Sequence, residues 1–274
     1  MSSTPTILLF DSGLGGLTVH RQVVAARPDA RLIYAADDAA FPYGRLEQGD
    51  LIARVVAVIA KLIETYRPDL VVVACNTAST LVLPELRSRF SLPFIGTVPA
   101  IKPACAASIS KRVSVLGTEA TVSREYTRAL IRQFANGSDV TLVGSARLAT
   151  YAEAELRGEP VADQAIADEI APCFIDADNR RTDTIVLACT HYPLLLHRFT
   201  RRQPWPVTFI DPAPAIARRV LDLLGPAAGA KPPAPARMVF SSGLAPSPAL
   251  AAALISFGIK EFAGDGFDTP GISA

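Results

Sequence analysis

Val71-Val72-Val73-Ala74-Cys75-Asn76-Thr77 and Ile185-Val186-Leu187-Ala188-Cys189-Thr190-His191 share one design: an aliphatic run, then Ala-Cys, then small polar residues. A short unbroken run of β-branched and aliphatic residues is what a strand buried on both faces of a parallel sheet requires. Each Cys then falls at the carboxyl end of its strand, where open α/β sheets hold ligands. Two thiols in equivalent places can face one substrate from opposite sides. That suits removing a proton from one face of a carbon and returning one to the other.

Outward from these stretches, strand-like and helix-like segments alternate nearly throughout. Residues 7–10 lead through a Gly-rich turn into a helix from about Leu17, and residues 32–36 are a second strand. Residues 50–66 carry helical apolar spacing at Leu51, Val55, Val56, Val58, Ile59, Leu62 and Ile63. A helix near 79–89 and a strand Phe94–Gly96 follow. The pattern restarts with a strand at 113–118, a helix through Tyr126 and Leu130, a strand at 140–143, helices over about 149–156 and 162–177, and the strand Thr184–Ala188. This rhythm predicts parallel sheets with helices on both faces.

The first half runs from an Asp11-Ser12-Gly13 turn to Cys75, and the second from a Gly117-Thr118 turn to Cys189. Such a repeat predicts two similar doubly wound parallel-sheet α/β domains, related by a pseudo-twofold axis, with the active site in the cleft between them. Residues 225–236, rich in Pro, Ala and Gly, read as a linker. Residues 238–240 and 249–257 read as a last strand and helix that pack back onto the first half, and 264–274 as a loose tail. The expected domains are therefore 1–97 plus 210–274, a discontinuous unit, and 98–209.

With 274 residues, half of them hydrophobic, the chain has material for two cores. Its 27 basic and 26 acidic residues leave a net charge of +1, which gives no footprint for nucleic acid or anionic membrane. No apolar run reaches the roughly 18 residues of a membrane span. Met1-Ser2-Ser3-Thr4-Pro5 lacks the basic n-region of a secretory signal. The expected location is the cytoplasm, where Cys75, Cys105, Cys173 and Cys189 stay reduced. No CxxC is present, and His20, His191 and His197 fall into no ligand spacing with the cysteines, so no metal is expected.

Cys75 and Cys189 each sit where a strand ends and a helix is expected to begin. The unsatisfied N–H groups of a helix's first turn lower a thiol's pKa and can hold a substrate carboxylate. Cys105 and Cys173 lack that context and read as core. Asp11-Ser12-Gly13-Leu14-Gly15-Gly16 opens a helix after a strand, as a phosphate loop does. It carries neither Gly-Lys-Ser/Thr nor GxGxxG spacing, so no nucleotide is expected. Asp11 at a strand end suits holding an ammonium group or assisting proton transfer. Phe41-Pro42-Tyr43-Gly44 reads as a shaped loop whose backbone approaches a ligand closely. His191, two residues past Cys189, is placed to act on the same site.

Together, Asp11-Ser12-Gly13-Leu14-Gly15-Gly16, Pro42-Tyr43-Gly44, Ala74-Cys75-Asn76-Thr77-Ala78 and Cys189-Thr190-His191-Tyr192-Pro193-Leu194 closely resemble the glutamate racemases of the aspartate/glutamate racemase superfamily. The resemblance runs from about Ile7 to Arg219, with Gly144-Ser145-Ala146 and Ala152-Glu153-Ala154 in keeping. It implies cofactor-independent racemisation of glutamate, with no pyridoxal phosphate, in which Cys75 and Cys189 exchange the roles of base and acid. It implies that Asp11 and His191 assist the two thiols, with Glu153 as a second acid on the His side and Glu155 as the alternative register. Asp11, Ser12, Tyr43, Gly44, Asn76, Thr77, Thr190 and His191 match substrate-contacting positions, and Thr118 and Thr121 match more weakly. A cytoplasmic homodimer supplying D-glutamate for peptidoglycan is implied as well. The sequence departs from many relatives at Ala40, where they carry Arg, and in detail over Leu116-Gly117-Thr118-Glu119-Ala120. The nearest competing reading is an aspartate racemase or another superfamily racemase acting on a small acid. A cleft-forming binding protein would ordinarily carry an export signal. A single-thiol hydrolase leaves the second matched Cys without a role.

Overall fold

The computed structural model describes residues 4–227 and 235–263. Its first half alternates β1 (Thr6–Asp11), α1 (Leu17–Ala26), β2 (Arg31–Ala36), α2 (Gln48–Tyr66), β3 (Leu70–Val73), α3 (Asn76–Arg89) and β4 (Phe94–Gly96). The second half runs through α4 (Ile101–Ala107), β5 (Arg112–Thr118), α5 (Glu119–Ser123), α6 (Glu125–Phe134), β6 (Asp139–Ser145), α7 (Leu148–Leu156) and α8 (Asp163–Ile170). It continues with a two-stranded hairpin, β7 (Asp176–Ala177) and β8 (Arg180–Arg181), then β9 (Thr184–Ala188), α9 (Leu196–Arg202) and β10 (Thr208–Ile210). The chain then returns to the first sheet through α10 (Ala213–Leu224), β11 (Ala236–Phe240), α11 (Pro248–Ser256) and β12 (Ile259–Ala263).

The strands form a six-stranded sheet ordered β12-β11-β2-β1-β3-β4 and a four-stranded sheet ordered β10-β9-β5-β6. All pairings in both are parallel. Read from its other edge, the second sheet runs β6-β5-β9-β10 and repeats β2-β1-β3-β4 strand for strand. The two cysteine-bearing strands hold equivalent places, each beside the first strand of its half: Phe10 pairs with Val73, and Gly117 with Ala188. The fold is thus two parallel-sheet α/β domains, and the matched strand order is what an internal duplication produces.

Helices cover both faces because the strands are apolar on both. Along β1, Ile7 and Leu9 join the core under α1, α10 and α11, while Leu8 and Phe10 join the core under α2 and α3. On α2 the predicted stripe of Leu51, Val55, Val56, Val58, Ile59 and Leu62 is buried. Each such large aliphatic side chain contributes roughly 1.5–3 kcal/mol.

Three expectations need correction. The helix expected over 162–177 ends at Ile170, followed by a 3-10 turn at Ala171–Cys173 and then β7. Pro172 has no N–H to give the helix and its ring crowds the preceding turn. The helix through Tyr126 and Leu130 is α6, but a separate short helix not anticipated, α5, precedes it, the two parted at the extended Arg124. Beyond the helix near 249–257 lies one more strand, β12, whose exposed Lys260 and Glu261 hide its pattern. Most of the expected linker (228–234), the expected tail (264–274) and residues 1–3 lie outside the described residues.

Candidate active site

β3 ends at Val73, so Ala74 and Cys75 run past the sheet edge and Cys75 becomes the N-cap of α3. Its Sγ lies 3.7 Å from Ser12 Oγ, on the turn after β1. Cys189 likewise follows the last residue of β9, but no α-helix starts there. An α-helix would need residue 193 to donate to the carbonyl of Cys189, and residue 193 is proline, which has no N–H. The chain instead turns in 3-10 fashion, with Tyr192 N–H donating to Cys189 O at 3.1 Å, and α9 begins only at Leu196. An α-helix N-terminus thus begins at Cys75 but not at Cys189, where a second was expected.

Both thiols line one small cavity of about 20 Å³ between the domains, with Ser12, Phe41, Pro42, Tyr43, Gly44, Asn76, Thr77, Thr118, Ala149, Thr190 and His191. Of the substrate-contact positions anticipated from the sequence, all line it except Asp11, which is buried against Ser12 and Thr190, and the weaker candidate Thr121, which is buried against Thr118. The Asn76 amide is buried there with neither its nitrogen nor its oxygen paired among the described residues. A buried polar group is costly unless it finds a partner, so this amide is aimed at a ligand.

Asp11 is fully buried and accepts from Ser12 N–H (2.7 Å), Gly16 N–H (2.5 Å) and the Thr190 hydroxyl (3.2 Å). Burial raises its pKa above the ordinary carboxylate value, against the lowering influence of His191 and these hydrogen bonds. The Cys75 thiol is pushed up to about 12, first by burial and then by the negative charge of Asp11. The N–H of Ala78 and Ser12 Oγ pull the other way without prevailing. The thiol-lowering effect anticipated for a helix N-terminus is therefore outweighed here by burial.

The Cys189 side is built differently. His191 Nδ1 lies 3.8 Å from Cys189 Sγ, and Nε2 lies 3.0 Å from Glu153 Oε1. Burial disfavours a charged ring, but hydrogen bonds and charges from Cys189 and Glu153 overcome it and raise the His191 pKa well above the ordinary value. Burial of Glu153 is likewise overcome, by His191, the Leu14 N–H and Arg157, and its pKa falls. Both shifts favour the charged forms of the pair. Gly15 N–H also points at Nε2 at 3.2 Å, a bond that nitrogen accepts only in its unprotonated form, so Nε2 serves either Gly15 as acceptor or Glu153 as donor according to its protonation.

Between Glu153 and Glu155 the structure distinguishes plainly. Glu153 accepts from Leu14 N–H at 2.6 Å across the domains and from Arg157 at 3.0 Å. Glu155 points elsewhere, pairing with His197 at 3.0 Å and Arg198 at 3.1 Å. The turn after β1 must come very close to this group. A β-carbon at Gly13 would collide with Glu153 Oε1, and one at Gly15 would stand 2.6 Å from His191 N and from Thr190 Oγ1. Only glycine allows that approach.

Thr118 and Thr121 join Thr77 in a cluster of hydroxyls across the cleft, with Oγ–Oγ separations of 3.2, 3.3 and 2.9 Å. Two groups escaped sequence reasoning. Asp37, fully buried, accepts from Tyr43 OH (2.5 Å) and from Arg54 through both oxygens (2.7 Å each), which fixes the loop carrying Gly44. Arg124 reaches across to the carbonyl of Thr77 and the hydroxyl of Thr80. Asp37 directly follows the predicted second strand, and that position was its only signal. Arg124 carried none. Among the described residues, no group of three or more His, Cys, Asp or Glu could hold a metal ion, and no helix is long and apolar enough to cross a membrane.

A family profile described as Asp/Glu/Hydantoin racemase matches residues 18–220. A glutamate racemase of Brucella anthropi is 56% identical over 221 residues, covering 80% of both chains. One of Mesorhizobium japonicum is 52% identical over 239 residues, covering 86% of this chain and 91% of the relative. A crystal structure of Escherichia coli glutamate racemase in complex with L-glutamate and the activator UDP-MurNAc-Ala superposes with a TM-score of 0.86 at 39% identity, over 95% of this chain and 97% of that one. The paired strand ends and the cysteine-lined cleft thus sit in a chain that belongs to the Asp/Glu/hydantoin racemase family of isomerases.

Proposed function

We propose that the protein interconverts L- and D-glutamate by a two-thiol, cofactor-independent mechanism. The observation that carries this reading is the meeting of Cys75 and Cys189, from equivalent strand ends of two domains, at one cavity. A thiolate on one side takes the Cα proton: the C–H bond breaks, an S–H bond forms, and the electron pair remains on the substrate as a carbanion delocalised into its α-carboxylate. The thiol on the other side gives its proton to the opposite face and becomes the thiolate. The enzyme is left with the two protonation states exchanged, ready for the reverse direction.

The carbon acid is very weak, so preorganised donors in a dry site must stabilise the developing charge. Ser12, Asn76, Thr77, Thr190 and the backbone at Tyr43 and Gly44 are placed to hold the two carboxylates. Asp11 suits the ammonium group and the Cys75 side, while His191 and Glu153 serve Cys189. A cavity of about 20 Å³ admits roughly one water. Glutamate therefore enters only when the domains part, releasing Leu14 from Glu153 and Asp11 from Thr190. This reading also takes 1–97 with 210–274 and 98–209 as the moving units, supported by sheet membership except at Ile210, which pairs with Val186 in the second sheet. It includes a cytoplasmic homodimer, bound to neither nucleic acid nor membrane, that supplies D-glutamate for peptidoglycan.

The test is incubation of pyridoxal-phosphate-free protein with L-glutamate under reducing conditions, followed by optical rotation, beside Cys75→Ala and Cys189→Ala. Racemisation in the parent and its loss in both variants is expected. Activity on aspartate but not glutamate would overturn the substrate assignment and leave the two-thiol reading in place.

A further inference from the structure

We propose that Arg124 is a positioning residue for the Cys75 side: from the second domain it pins the first turn of α3 and places a positive charge beside the thiol. The inference rests on the two-thiol reading above and deepens it.

Arg124 lies in the extended break between α5 and α6 and is half-buried. Its Nη1 donates to the carbonyl of Thr77 and the hydroxyl of Thr80, both in the opening turns of α3. That turn begins at Cys75, and its Ala78 N–H is one of the groups pointing at the Cys75 sulfur. A guanidinium anchored there holds the N–H in place only while the domains are closed, because Arg124 belongs to the opposite domain. Neighbouring Thr127 ties its hydroxyl to the Thr121 carbonyl at 2.7 Å, so the segment carrying Arg124 is itself braced. The guanidinium lies near enough to interact with the charge of a Cys75 thiolate.

The charged and titratable groups around Cys75 make the role specific. Asp11 and Cys189 face it with negative or potentially negative charge, and Tyr34 and Tyr43 are buried phenols that add none when neutral. Among the described residues, Arg124 is a cation that interacts with Cys75 from across the cleft, bonded to the first turn that Cys75 caps, while His191 acts at the Cys189 side. A thiol disfavoured as an anion by burial and by Asp11 must still become a thiolate in every second half-reaction. Arg124 supplies the opposing charge, and only upon closure, when the substrate is sealed in.

The test compares Arg124→Met and Arg124→Lys with the parent. Two readouts are needed: amide hydrogen exchange over residues 76–80, and the pH dependence of kcat and KM for racemisation. Arg124→Met should exchange faster over 76–80, lose about tenfold in kcat with a smaller change in KM, and move the rising limb of kcat to higher pH by about one unit. Arg124→Lys should restore the position of the limb. Should Arg124→Met fail to fold, Thr80→Val removes one acceptor and should lower kcat two- to threefold with faster exchange at 76–80. Unchanged exchange and kcat would overturn the proposal. An equal kcat loss in Met and Lys variants with an unmoved limb would also overturn it, leaving a merely structural contact. A parent without racemase activity would instead overturn the two-thiol reading, while the exchange data would still report whether Arg124 pins α3.

Discussion

The two cysteines occupy equivalent ends of equivalent strands, yet the protein surrounds them with opposite chemistry. Cys75 caps an α-helix, leans on a hydroxyl and shares its surroundings with buried Asp11, and its pKa rises to about 12. Cys189 precedes a proline-limited 3-10 turn and faces the ring of His191, backed by Glu153 and Arg157. The two halves share the strand ends and differ in the residues just past them. In the two-thiol reading proposed above, these unlike surroundings favour the thiol at Cys75 and a charged ring at His191 beside Cys189.

The same contrast recurs in two buried histidines. His20 on α1 has neither ring nitrogen paired among the described residues, and burial lowers its pKa to about 4. His191 is as deeply buried, but its partners raise its pKa. Burial alone opposes charge; a carboxylate and a sulfur at hydrogen-bond range reverse the outcome.

The comparison can be broken first at the thiols. Cys75→Ala and Cys189→Ala should each lower racemisation by at least about a thousandfold, since removal of a catalytic acid or base commonly costs 10² to 10⁴. Optical rotation follows it, and substantial activity in either variant contradicts the pairing. Next come the supports. His191→Asn should cost about a hundredfold in kcat and Glu153→Gln somewhat less, whereas Glu155→Gln, which touches only His197 and Arg198, should stay within about twofold. Equal losses at the two glutamates would mean that the contacts of Glu153 do not matter.

The smallest effect concerns stability. The folded-state pKa of His20, about 4, lies below its unfolded value of 6.5. Its contribution is therefore whole above pH 6.5 and is lost as pH falls towards 4, at about 1.4 kcal/mol for each pH unit between the two values. His191 has the opposite sign: its contribution is whole below pH 6.5 and is lost as pH rises through its folded-state value. Thermal melts of His20→Leu across pH 4 to 7 should lack part of the parent's acid destabilisation. A parallel fall in both proteins would mean that His20 is not the group responsible.

Much of this was legible before any coordinates. The strands Phe94–Gly96 and Thr184–Ala188 fall where the apolar runs put them, because strands buried on both faces leave no room for polar residues. The cysteine motifs pointed to the strand ends that meet at the candidate site, because local sequence fixes where a strand ends. What stayed hidden depends on contacts between distant segments. Sequence spacing left Glu153 and Glu155 open, and it could not show that Glu153 is the one that reaches His191 and, across the cleft, Leu14. Arg124 looks like any helix-flanking arginine until the domains meet. The anticipated acidity of Cys75 was wrong because the first-turn N–H groups are local, whereas burial and the nearby Asp11 are products of the closed fold.

The most direct test of the central claim is the earliest fate of hydrogen at Cα. Protein is incubated with L-glutamate in D2O, and both enantiomers are analysed by mass spectrometry after a few per cent conversion. Two thiols on opposite faces predict D-glutamate that carries deuterium at Cα from the first turnover, while the remaining L-glutamate still carries protium. Deuterium appearing equally in both from the start, or protium retained in the product, would mean that one base serves both faces and would contradict the account.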